Sequence, residues 1–137
     1  WLAANTCANL ALTSLGRAQL RAGLPPQRIM VTPAGPPVSF RPWMRQVLIE
    51  RDSLYELSFW SPFGDADAAN WTIWKGDRDP AVAAARQTAD AAAFLSWSRY
   101  PFYRVVREGG STSVGLGAAR CTSDDAQGWA SVGVRLP

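Results

Sequence analysis

Asp65, Asp67, Asp77 and Asp79 bracket one polar stretch of the chain, with Asn70 between them. The alternation Asp65-Ala-Asp67 with Asn70 loosely matches the opening of a calcium loop, where several oxygens surround a hard cation. The central glycine and closing glutamate of that pattern are missing, and aspartates in loops ordinarily make local turns. Asp79 also stands directly before Pro80, the arrangement of a helix cap followed by a first-turn proline. The expectation is a polar loop with no metal site; Asp65, Asp67, Asn70 and Asp77 remain the weaker, cation-loop alternative.

The chain contains no histidine. The commonest general base and the commonest nitrogen ligand for zinc are therefore both missing, which removes Ser-His-Asp and Cys-His nucleophiles together with His-based zinc sites. Cys7 and Cys121 lie near opposite ends of the sequence and form no CxxC or metal-ligand spacing. In an oxidising compartment they could close a loop over most of the chain; as two buried free thiols they would be inert packing. Gly109-Gly110 and Gly115-Leu-Gly117 do not sit between a strand and a helix start, so they read as turn and strand glycines rather than phosphate loops. No catalytic residue and no cofactor are expected; an enzyme working with carboxylates alone would have to draw on Asp65, Asp67, Asp77 and Asp79.

Across 137 residues the apolar fraction is 47% and the charged fraction 18%, a composition that folds. The net charge of +3 comes from thirteen arginines and Lys75 spread along the chain, without the basic stripe that a nucleic-acid surface needs. Seven tryptophans are many for this length. Large rings chiefly build cores, although Trp43, Trp60, Trp71 and Trp74 together would also suit a ligand-, peptide- or membrane-facing surface.

The elements that must position these groups are legible from periodicity. Residues 2–22 are Ala-rich helix formers with Arg17 and Arg21 in the last turns, stopped by Gly23, Pro25 and Pro26. Arg28-Ile-Met-Val-Thr-Pro33 predicts a strand, followed by an irregular Pro-rich segment. Residues 44–50 and 54–60 alternate on either side of Arg51-Asp52-Ser53 and predict a hairpin, with Tyr55, Leu57 and Phe59 on one face. Residues 61–79 read as a polar segment in which Asn70-Trp-Thr-Ile-Trp74 is a short strand or an anchored loop, the loop being the reading adopted. A helix from Asp79-Pro80 to about Ser98 should bury Val82, Ala85, Ala89, Ala92, Ala93 and Phe94 or Leu95 with Trp97. Residues 102–108 and 111–119 form a second hairpin about Gly109-Gly110, and residues 129–136 a last strand with Ala130, Val132, Val134 and Leu136 on one face. The fold class expected is α+β: an antiparallel sheet of about five to six strands with two helices on one face.

Taken in order, Arg28-Ile-Met-Val-Thr-Pro33, Trp43-Met-Arg-Gln-Val-Leu-Ile-Glu50 with Tyr55, Phe94-Leu-Ser-Trp-Ser-Arg-Tyr-Pro101 and Val114-Gly-Leu-Gly-Ala-Ala-Arg120 carry a resemblance. They resemble the C-terminal region of a bacterial family named for a membrane-bound, metal-dependent hydrolase, also described as LexA-regulated inner-membrane proteins. The resemblance covers most of the chain from Arg28 onward and lies in the order of the phrases, none of which is a catalytic signature. It implies a bacterial inner-membrane location and a preceding membrane-embedded part of the same chain as partner, with any divalent metal and its His ligands in that part. The start at Trp1, without Met, adds the expectation that residues 1–24 continue from a membrane span and that 25–137 form one domain. Under this reading the chain is non-catalytic and stabilises or regulates the membrane part. The alternative is a ligand- or peptide-binding module using a Trp-rich surface.

Overall fold

The computed structural model describes residues 2–22, 28–33, 41–64, 71–121 and 130–136. These form an α+β fold of seven strands and three α-helices, and the strands divide into two antiparallel sheets rather than one. The chain separates into two compact units, residues 1–72 and 73–137.

In the first unit, helix α1 (Leu2–Ala22) precedes β1 (Arg28–Pro33), β2 (Arg45–Glu50) and β3 (Leu54–Trp60), as the sequence predicts. With β4 (Trp71–Trp74), they run in the order β1-β2-β3-β4. The register places Val31 opposite Val47 and Ile29 opposite Ile49, so one face gathers these four residues into a core that Leu20 of α1 and Trp60 join. On the other face Leu48 stands opposite Leu57, and both are fully buried. β4 corrects the loop reading of Asn70-Trp-Thr-Ile-Trp74. Four residues are too short to show alternation against polar surroundings, and ladder pairing makes the strand.

Arg45 is the unusual residue of this unit: its side chain has no exposed surface. Nη1 donates to the main-chain oxygens of Pro42 and Met44 at 2.8 Å each, and Nη2 donates to Asn9 Oδ1 of α1 at 2.9 Å. Trp60, opposite Arg45 in the ladder, lies across Gly16 of α1 and donates its Nε1–H to Gln19 Oε1 at 3.2 Å. A Cβ on Gly16 would come within 3.0 Å of the indole, so the helix approaches this closely because position 16 has no side chain.

In the second unit, β5 (Pro101–Glu108), β6 (Ser111–Ala118) and β7 (Ser131–Leu136) form a sheet in that order. Gly109 and Gly110 both take positive φ, 55° and 82°, the backbone that a two-residue primed turn requires. Two helices, α2 (Pro80–Ala85) and α3 (Ala89–Trp97), cover one face, where Val82, Ala85, Ala91 and Phe94 meet Tyr103, Val114, Leu116, Ala118, Ala130 and Val134. Full burial of Val82, Val114 and Leu116 contributes about 1.5–3 kcal/mol each.

A single helix to Ser98 is not what forms. The chain breaks after α2, and Thr88 starts α3 as a new cap, its Oγ1 accepting from Ala91 N and donating to Ala85 O at 2.8 Å. The break resets the helical phase. Val82 and Ala85 are buried as expected, but in α3 the buried positions are Ala91 and Phe94, while Ala89, Ala92, Ala93 and Trp97 are exposed.

Replacing Arg45 by Met is expected to lower stability by on the order of 3 kcal/mol in a urea titration, because the two carbonyls and Asn9 lose their donor. An unchanged midpoint would show that the guanidinium is dispensable.

Candidate functional sites

Asp65, Asp67 and Asn70 lie outside the described residues. Asp77 is exposed in the turn before α2, and Asp79 acts as the cap that the sequence predicts. Its Oδ1 accepts from Ala81 N at 2.9 Å, and its two oxygens accept from Arg107 Nη2 at 2.7 and 2.8 Å. The Arg107 guanidinium first, and the Ala81 amide second, hold the Asp79 carboxyl below the usual carboxylate range. Both oxygens of Asp79 are engaged in joining the start of α2 to β5. Among the described residues no group of three or more Cys, Asp or Glu is placed to hold a metal ion.

Lys75, Gly76 and Asp77 run beside β5. Tyr103 N donates to Lys75 O at 2.7 Å, and Gly76 has φ 64°. A Cβ there would collide with Tyr103 O, so backbone meets backbone at this point. The Tyr103 ring is buried, with the Arg86 guanidinium carbon 5.8 Å from its centroid. Burial pushes the phenol upward from its ordinary value, against the charge of Arg86 and with that of Asp77. Tyr103 is a core phenol whose ionisation burial disfavours. Both cysteines are free thiols: Cys7 is exposed on α1, and Cys121, half-buried, packs at the edge of the second core.

The four tryptophans singled out in sequence have separate tasks. Trp60 packs on α1, and Trp71 meets Phe59 edge-on with ring centroids 5.5 Å apart. Trp43 meets Phe63 edge-on at 5.8 Å, and Phe63, on the turn Ser61–Gly64, is 73% exposed. Trp43 and Phe63 flank the paired residues Arg45 and Trp60, which puts this aromatic pair at the end of the sheet that α1 reaches with Asn9. Trp74, in the second unit, is exposed on β4.

A ring that sequence reasoning assigns to the core borders an open groove. Trp97 is 52% exposed, stacked edge-on against Phe94 at 5.0 Å. Asp90, Ala93, Phe94 and Trp97 of α3 face Ala130, Ser131 and Val132 across an open groove of about 500 Å³. That volume lies in the range of about 300–1,000 Å³ usual for ligand sites. The spacing 90, 93, 94, 97 is one side of the helix and is legible in sequence, but the exposure of Ala93 and Trp97 is seen only in the structure.

Comparison with known proteins returns no match to a family model, a curated protein or a solved structure.

Two outcomes follow from these contacts. Gly76→Ala is expected to cost about 1–3 kcal/mol in a denaturation curve, since a methyl group meets the Tyr103 carbonyl in a positive-φ backbone; an unaltered curve would exclude the close approach. Because its folded-state affinity for protons is depressed, Asp79 stabilises the fold above about pH 4, the unfolded carboxylate range, and this stabilisation is lost as pH falls through the lower folded value. The melting temperatures of the parent and Asp79→Asn should therefore differ most at neutral pH and converge on acidification. A difference independent of pH would contradict the assignment.

Proposed function

We propose that this chain is the extramembrane C-terminal domain of a bacterial inner-membrane protein, non-catalytic by itself, that stabilises or regulates a membrane-embedded part of the same chain. The observation that carries this reading is the setting of α1. The helix is tied to its sheet by Asn9, Gly16, Gln19 and Leu20, while residues 3–8 are exposed, as is Leu10 at 63%. A helix with only its later turns docked is suited to pass its earlier turns to a neighbouring segment. The exposed Phe63 with Trp43, an aromatic pair at the same sheet end, fits a surface that approaches a membrane, where apolar rings enter the boundary between headgroups and acyl chains.

The ordered phrases described above support the family to which this reading refers, and the absence of histidine supports placing any metal chemistry elsewhere. No helix among the described residues is long and apolar enough to cross a membrane, so the anchor in this proposal is a different segment. The Ala-rich composition of α1 supports close packing with another helix, since small side chains let backbones approach.

Cys7 provides the test, as an exposed thiol on the free part of α1. In a Cys121→Ser background, its labelling by a charged maleimide is compared between this 137-residue chain and the whole protein in inner-membrane vesicles. Labelling several-fold slower in the whole protein, with the protein resisting carbonate extraction, is expected. Equal labelling rates, or release by carbonate, would refute the assignment.

A further inference from the structure

We propose that the outer edge of β7 and the exposed face of α3 form a seat for an extended peptide, which adds to the sheet as a fourth strand beside β7. β7 ends the strand order β5-β6-β7, and among the described residues its other edge has no strand beside it. An antiparallel edge presents alternating N–H and C=O groups, the template for strand addition. The helix layer extends to this edge: α2 packs across β5, β6 and β7, whereas α3 packs on β7. Asp90, Ala93 and Trp97 lie exposed on α3, beside the start of β7 and along the groove. A strand laid along β7 would therefore run under this helical stripe, with every second side chain against Ala93 and Trp97.

The chemistry of the lining selects the occupant. Ala93, Phe94, Trp97, Ala130 and Val132 accept apolar side chains, and Asp90 is a carboxylate with no ion pair among the described residues. The fitting peptide alternates apolar and polar residues, places Lys or Arg near Asp90, and has no proline where its N–H must pair with β7. A second copy fits less well. Two-fold pairing of β7 with itself would bring a second α3 over the same strip, whereas a single peptide strand brings no helix layer. This seat lies wholly in the second unit and does not depend on membrane attachment.

The test selects random decapeptides displayed on phage against the 137-residue chain, then measures the most enriched synthetic peptide by fluorescence anisotropy. Trp97→Ser should weaken binding about tenfold or more, as loss of an aromatic anchor does. Ala93→Arg, at a fully exposed site outside the core, should weaken it to the same extent without altering thermal unfolding. Asp90→Lys should turn the selected preference from basic to acidic residues, and Trp74→Ser, at the other exposed tryptophan among the described residues of this unit, should leave binding unchanged. The bound peptide should slow hydrogen exchange at β7 amides. The proposal is overturned by failure to enrich any peptide, by binding indifferent to both Trp97→Ser and Ala93→Arg, or by protection confined to another strand. It is equally overturned by a dimer that Ala93→Arg dissociates, which would assign the groove to a second copy.

Discussion

The buried guanidinium of Arg45 is the constraint around which the first unit is arranged. An ionised group without exposed surface loses its hydration, and burial accordingly lowers the proton affinity of Arg45 from its ordinary value. No carboxylate among the described residues compensates it. Its partners are two main-chain oxygens and an asparagine, so its position depends on hydrogen-bond geometry rather than on charge pairing. The carbonyls of Pro42 and Met44 must therefore face inward, which shapes the turn entering β2. Asn9 must stand over the first residue of that strand, which sets where α1 crosses it. The ladder then places Trp60 beside Arg45, and the bare backbone at Gly16 lets the helix settle on the indole. Removing one donor would release three groups together.

The second unit is organised by local caps. Asp79 begins α2 and links it to Arg107 of β5; Thr88 ends the first helical segment and begins the next. The restart turns Phe94 inward against Leu116 and Val134, and carries Asp90, Ala93 and Trp97 to the outer side. The exposed tryptophan is thus a consequence of how the helix pair covers a three-stranded sheet.

The chemical character of the molecule follows from both arrangements. Among the described residues, Asp79 is occupied in capping and ion pairing, and burial disfavours ionisation of the Tyr103 phenol; the thiols have no imidazole partner because the chain lacks histidine. Such side chains serve architecture. The described surface also carries exposed positions of α1 and α3 and the rings of Phe63, Trp74 and Trp97.

Residue order by itself determined the features whose causes are local. Asp79-Pro80 starts a helix because a carboxylate can bond the first amides and proline gives up no needed donor. Gly109-Gly110 turns a hairpin because both positions adopt positive φ. Alternation on β3 and β7 assigns Tyr55, Leu57, Val132 and Val134 to buried or packed faces because side chains repeat every two residues along a strand. The lack of histidine excludes imidazole chemistry under any fold. Only tertiary structure decided the rest. Trp71–Trp74 becomes a strand through a neighbouring strand. Arg45 can be buried because α1 brings Asn9 to it from 36 residues away. Trp97 is exposed where α3 packs on β7, the last strand of its sheet among the described residues, and the partition of the strands into two sheets is set by which neighbouring strands pair. Propensity and periodicity act over a few residues, whereas pairing, burial and helix phase against a sheet edge depend on which distant segments meet.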